Sequence, residues 1–186
     1  MPEEKEKRTA AQEAYEWLQI FVVAIIAIVL VFTFVGRITP VVGDSMYPTL
    51  HWGDVMLVRD LGYTDPQPGD IVVLTKAFDA ADGPLLKRVV AVGGQTVEID
   101  YSTATVYVDG VALDEPYINQ EEVMMEPHYE DISSITVPEG SIFVMGDNRN
   151  HSNDSRDVTL GTVDERYLLG KVEFVCFPFQ NFGRPQ

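Results

Sequence analysis

The chain has 186 residues, enough for one modest domain with attachments, and a formal net charge of −16. A surface this acidic repels phosphate backbones, which argues against nucleic-acid binding. From Arg37 onward 24 Asp and Glu stand against 10 Lys and Arg, so the acidity belongs to the body of the protein and reads as a solvated face.

The first element is an apolar run over residues 18–35, interrupted only by Gln19 and Thr33 and free of charge. As a helix it is roughly 27 Å long, enough for the hydrocarbon core of a bilayer. Tyr15 and Trp17 stand at its start, where aromatic rings favour the interface. A buried globular helix would carry a polar stripe, and this run is apolar all round. A cleavable leader would end in an A-x-A-like site, whereas here Gly36-Arg37-Ile38-Thr39-Pro40 follows. The expectation is one uncleaved transmembrane helix over residues 18–36, with residues 1–17 as a cytoplasmic tail and residues 37–186 as an extracytoplasmic domain. The orientation follows from Lys5, Lys7 and Arg8 before the run against Arg37 alone just after it.

Beyond the anchor the pattern is β. Val55–Arg59, Ile71–Leu74, residues 88–92, Thr96–Asp100 and Thr105–Val108 are short runs rich in β-branched residues. Asp109-Gly110 is the strongest hairpin signal, and turn clusters at residues 66–70, 81–84, 93–94 and 138–140 punctuate the rest. Such strands predict a mainly β fold, a barrel or a pair of packed sheets. Residues 119–131 are acidic and patternless and read as a mobile loop or flap; residues 164–169 read as a short helical turn. Cys176, the one cysteine, lies in the strand-like run 172–177. It reads as a buried small hydrophobe and excludes an internal disulfide or CxxC metal site.

Three segments carry candidate chemistry. In Gly43-Asp44-Ser45-Met46-Tyr47-Pro48-Thr49-Leu50, a serine in a rigid turn with free N–H groups beside it suits a nucleophile with an oxyanion site. An ordinary Gly-Pro turn is the plainer alternative. Ser45 is ten residues past the run and thus within about 35 Å of the membrane surface. In Leu85-Leu86-Lys87-Arg88-Val89-Val90, strand alternation turns one member of the Lys87-Arg88 pair inward. Burial penalises an ammonium and lowers its pKa by up to about 3–5 units, which would make Lys87 a base for Ser45; a snorkelling surface lysine is the alternative. The third segment, residues 146–156, is polar and follows an apolar strand over residues 142–145. Counted from Asp147, it puts Arg149 third and Ser152 sixth, which breaks a calcium-loop pattern. A Ser-His-Asp triad through His151 and Asp154 remains a rival.

Together, and in this order behind an apolar anchor, the segments resemble bacterial type I signal peptidases. Residues 43–50 are similar to that family's nucleophile box, residues 87–94 to its general-base box, and residues 146–156 to its last box. Gly53-Asp54-Val55 and Gly69-Asp70-Ile71-Val72 fit as well. The resemblance runs from the anchor almost to the C-terminus. It implies a signal-peptidase-like β catalytic core without metal or other cofactor. It also implies a small accessory β region within residues 95–140, because the interval between Gly94 and Gly146 is short. Ser45 would be acylated and Lys87 would be its base. Ser152 would orient the Lys87 amine, Asp147 would pair with Arg88, and Asp154 and Arg156 would brace the site. Met46 would lie near the substrate pockets. Where some members carry a hydroxyl residue two positions before the nucleophile, this chain has Gly43, so the backbone N–H groups of Gly43 and Ser45 would hold the oxyanion. The implied partners are signal peptides of exported preproteins, cut after small residues in an A-x-A pattern, the lipid bilayer, and a secretion translocon as a further candidate. A processing peptidase dedicated to one substrate such as a pilin, and a non-catalytic tethered binding module, are the alternative functions.

Overall fold

The structure, a computed structural model, describes residues 9–34, 36–76, 83–118, 125 and 131–185. Helix α1 spans Ala10–Phe34 and therefore starts eight residues before the apolar run. Its start follows from a reciprocal cap: Thr9 N–H donates to Gln12 Oε1 at 2.9 Å, and Gln12 N–H to Thr9 Oγ1 at 3.4 Å. Within it, Ala10–Leu30 has a mean hydropathy of 1.9 and is exposed throughout. An apolar helix that buries no face against its own chain needs an apolar solvent, and its length and composition suit a membrane span.

The rest is β structure in two antiparallel sheets. The strands are β1 (Arg37–Pro40), β2 (Val55–Arg59), β3 (Ile71–Leu74), β4 (Leu85–Val92), β5 (Thr96–Asp100), β6 (Thr105–Val108), β7 (Val111–Ala112), β8 (Ser134–Thr136), β9 (Ser141–Met145), β10 (Val163–Asp164) and β11 (Leu168–Phe177). The large sheet runs β1-β2-β11-β3-β4-β9-β10 and the small one β7-β6-β5-β8. The small sheet forms the accessory region between β4 and β9. Its β6–β7 hairpin turns at Asp109 and Gly110, with φ of 53° and 75°, the positive values that this dipeptide tolerates best.

The packing explains the apolar runs. Ile71 and Val73 of β3 join one core cluster, and Val72 and Leu74 join another. The strand is thus buried on both faces and reads as unbroken rather than alternating. A third cluster joins the two sheets: Val90, Phe143 and Met145 from the large sheet pack with Val97, Ile99, Val106 and Val108 from the small one.

Two expectations change, and one is not tested. The helical turn at residues 164–169 is confined to Glu165–Tyr167, because Leu168 and Leu169 already belong to β11. Cys176 is half-buried, since it alternates with the inward Val175. The loop at 119–131 lies outside the described residues apart from Met125 and Asp131, as do two residues of the turn at 81–84.

Phe143 has no exposed surface and sits in the cluster between the sheets. Phe143→Ala should lower unfolding stability by about 3–5 kcal/mol, read by denaturant titration of the detergent-solubilised full chain.

Candidate active site

Ser45 lies in the turn between β1 and β2. Tyr47 N–H donates to Asp44 O at 3.0 Å and Leu50 N–H to Met46 O at 2.9 Å, so the chain winds tightly around the serine. Gly43 enters this turn at φ +93°, a conformation that a side chain disfavours. Neither the Gly43 nor the Ser45 N–H donates to a protein acceptor among the described residues. Two donors therefore stand ready beside the hydroxyl.

Lys87 comes from the first half of β4. Its Nζ lies 2.8 Å from Ser45 Oγ and 3.0 Å from Leu86 O, and the residue is 3% exposed. Burial pushes its pKa down from the usual lysine value to about 8; Asp154 pulls it back up, Arg156 pushes it down and Asp147 raises it slightly. The contact works in both protonation states. An ammonium donates to Oγ, while a neutral amine accepts the serine proton.

Alternation along β4 predicts one inward member of the Lys87-Arg88 pair, yet Arg88 is buried too, at 4% exposure. Other segments cover it from the opposite side. Its Nε and one Nη donate to the two Asp147 oxygens at 2.8 and 2.7 Å, and its other Nη to Gly69 O at 3.1 Å. The Tyr117 ring stacks 3.9 Å from the guanidinium. Thr49, in the Ser45 turn, donates from Oγ1 to Asp147. Asp147 thus links the strand that carries Lys87 to the turn that carries Ser45.

The loop after β9 is held by two further buried arginines. Arg156 makes two hydrogen bonds to Asp154, at 2.8 and 2.9 Å, and Gly146 N–H donates to Asp154 Oδ2 at 2.9 Å. Burial alone would raise the Asp154 carboxyl. The Arg156 charge and its hydrogen bonds, the Gly146 N–H and the Lys87 charge outweigh burial and hold it below the usual range. Arg149 donates to Gly146 O at 3.0 Å and grips Glu115 with both Nη groups. Tyr117 Oη also donates to Glu115, at 3.0 Å. Glu115 and Tyr117 escape sequence reasoning because nothing in their local pattern marks them; Thr49 and Arg149 lie within the marked segments, but the local pattern gives neither a role. Their roles come from contacts made across the fold.

One expected contact differs, and another is indirect. Ser152 is buried, but its Oγ has no hydrogen-bond partner, so the expected bond to Lys87 is not made. The side chain lies over Gly146, where a Cβ would come within 2.2 Å of Ser152 Oγ, and the Lys87 amine is bound to Ser45 and Leu86 instead. Met46 is 1% exposed in the cluster of Val41, Leu50 and Met56. It therefore packs inward against Val41 and Met56, which themselves line the cavity described below, and so lies near that pocket, behind its wall. The rival triad does not assemble: His151 is exposed, and Asp154 is engaged by Arg156 and Gly146.

An apolar cavity of about 330 Å³ is lined by residues of β1 and the chain after it (Pro40, Val41, Val42), by Met56 and Val73, and by Pro84, Leu85 and Leu86, the last next to Lys87 in sequence. Over residues 85–87, β4 pairs with β3 on one side; its pairing with β9 begins at Arg88. The other edge of that half-strand has no strand partner among the described residues, and Leu85 and Leu86 of the same half-strand line the cavity.

The chain is similar to known proteins over most of its length. The family model described as signal peptidase, peptidase S26, matches residues 14–177. A probable signal peptidase I-1 of Synechocystis is 35% identical over 178 residues, covering 91% of this chain and 85% of its own. A signal peptidase I of Bacillus licheniformis is 34% identical over 187 residues, covering 97% and 98%. A crystal structure of a signal peptidase I from Enterococcus faecalis is 32% identical, with a TM-score of 0.46, covering 57% of this chain and 96% of that one.

Gly146 is a sensitive point of the arrangement. A Cβ there would lie 2.4 Å from the backbone oxygen of Ser45 as well as against Ser152, and backbone cannot yield as a side-chain tip can. Gly146→Ala should displace the nucleophile turn and lower kcat by about 10²-fold or more, measured on a peptide substrate alongside circular dichroism of the same preparation.

Proposed function

The chain belongs to the signal peptidase family, peptidase S26, and from that premise we propose that it removes signal peptides from exported preproteins through Ser45 and Lys87, by way of an acyl-enzyme. The observation that carries the reading is the 2.8 Å approach of a buried lysine amine to a serine hydroxyl beside two unengaged backbone N–H groups.

The substrate enters as an extended strand. The free edge of β4 at residues 85–87 supplies main-chain hydrogen bonds, and the cavity between β1 and β4 takes alternate side chains. Its apolar lining favours small residues at the first and third positions before the cut. Neutral Lys87 accepts the Ser45 proton as Oγ attacks the carbonyl carbon. The Ser45 and Gly43 N–H groups bind the oxyanion. The Lys87 ammonium then protonates the leaving amine, the C–N bond breaks, and the new N-terminus departs. Water, losing a proton to the same amine, attacks the ester; the acyl–oxygen bond breaks and Oγ takes the proton back. The released acid is the end of the signal peptide.

Desolvation gives Lys87 its function. With a pKa near 8, roughly a tenth of the amine is neutral at pH 7, against well under a thousandth at the reference value. Helix α1 holds the catalytic domain at the bilayer, with the N-terminus on the cytoplasmic side because Lys5, Lys7 and Arg8 precede the span. The substrate is itself anchored in that membrane by its apolar signal, so a short tether raises the rate of encounter.

Ser45→Ala and Lys87→Met should each lower cleavage of a preprotein by about 10⁴-fold or more while the thermal midpoint stays close to that of the parent. Sequencing of the released N-terminus reads the cut site. Full activity in either variant would overturn the assignment. In the parent, kcat/KM should rise with pH through an apparent pKa near 8, because the base must be neutral and its folded-state pKa lies at about 8. A profile still climbing tenfold per unit above pH 9 would show a lysine that the fold does not desolvate.

A further inference from the structure

Asn148 grips both peptide groups that flank the Ser45 Cα, and no step of the mechanism above uses it. Its side-chain Nδ2 donates to Asp44 O at 3.1 Å, and its backbone N–H donates to Ser45 O at 3.0 Å. The residue is 5% exposed, and its Oδ1 is buried without a partner among the described residues. A carbonyl can only accept, so the amide is turned to present Nδ2 to Asp44. The remaining oxygen is left unsatisfied, which costs stability because a buried acceptor has lost its water. An amide kept in this orientation at that cost, beside the nucleophile, serves its donor bond.

We propose that Asn148 is the positioning residue of the oxyanion site: by holding Asp44 O it sets the direction and strength of the Ser45 N–H. The Asp44–Ser45 peptide is trans and planar, so its N–H points opposite to its C=O. A bond that pins the carbonyl therefore pins the amide proton. Asp44 O also accepts the Tyr47 N–H at 3.0 Å, and with both lone pairs engaged the peptide is polarised toward a stronger donor. The second bond, to Ser45 O, fixes the following peptide. With the planes on both sides of its Cα held, Ser45 keeps the backbone angles that aim Oγ at Lys87. The inference rests on Ser45 being the nucleophile and adds how its oxyanion donor is aligned.

The test compares Asn148→Ala and Asn148→Asp with the parent and with Ser45→Ala, each as the full chain in detergent. Both Asn148 variants keep the backbone N–H, and the aspartate keeps the side-chain shape but cannot donate to Asp44 O when ionised. Expected are a kcat about 10–10² lower, short of the 10²–10³ for deleting an oxyanion donor outright, and a KM within about twofold of the parent. In Asn148→Ala the apparent pKa near 8 of the pH profile should stay in place, because the base is untouched. A peptide aldehyde, which forms a tetrahedral oxyanion on Ser45, should lose affinity by the same factor as kcat/KM, while the cleaved peptide acid should bind as before. Parental kcat in both variants overturns the proposal, and so does an equal loss of aldehyde and product affinity, which marks a distorted groove. If Asn148→Ala does not fold, Asn148→Asp decides by the same ratio; failure of both to fold assigns Asn148 to the fold and overturns the proposal. Activity retained in Ser45→Ala would instead remove the nucleophile assignment, whatever the Asn148 variants do.

Discussion

Lys87 is a potential cation held almost wholly out of water, and the rest of the site can be understood as the means of keeping it there. An ammonium buried without compensation loses its proton rather than its place, which is what general-base chemistry requires. The opposing influences are graded. Asp154 favours the charged amine and Arg156 disfavours it, and the two are locked to each other by paired hydrogen bonds. The amine thus sees a nearly neutral ion pair in place of a naked carboxylate. An unpaired Asp154 at the same position would hold Lys87 protonated and silence it.

The same loop also supports the turn that carries Ser45. Three buried arginine–carboxylate pairs, Arg88–Asp147, Arg149–Glu115 and Arg156–Asp154, tie β4, the segment after β7 and the loop after β9 into one unit. Buried pairs of this kind add little net stability, because desolvation offsets most of their attraction. Their geometric demands are strict, however: paired N–H···O bonds fix planes and distances. They suit a site in which Oγ and Nζ must stay within hydrogen-bond reach in both protonation states. The small sheet matters for the same reason, since Glu115 and Tyr117 follow it directly in sequence and reach back to Arg149 and Arg88.

Much of this was legible in the chain. Period-2 patterning and turn residues located most of the strands, because those signals are local: Asp109-Gly110 makes a tight hairpin wherever two strands flank it, and Ile71–Leu74 is apolar throughout because both its faces are covered. The candidate site residues were legible as three segments, through resemblance more than through any single residue. Their contacts were not. Alternation turned one member of the Lys87-Arg88 pair inward, and the fold buries both, with Asp147 of a distant loop on Arg88. Ser152 was expected on Lys87 and lies over Gly146 instead. Met46 was expected near the substrate pockets and stands behind the wall of the cavity, buried in the core. In each case the deciding partner lies far away in sequence or depends on how a turn is seated.

By itself the sequence determined a mainly β domain behind an apolar helix, an acidic surface, and the residue types able to carry acyl transfer. These follow from composition, periodicity and turn chemistry, which act over a few neighbouring residues. Only the tertiary structure decided that Lys87 is dry, that its amine meets a hydroxyl 42 positions away, and that Asn148 holds the peptides on either side of that serine. Burial and hydrogen-bond direction belong to the packed whole, because they depend on which distant segment closes over a strand, and no local pattern encodes that.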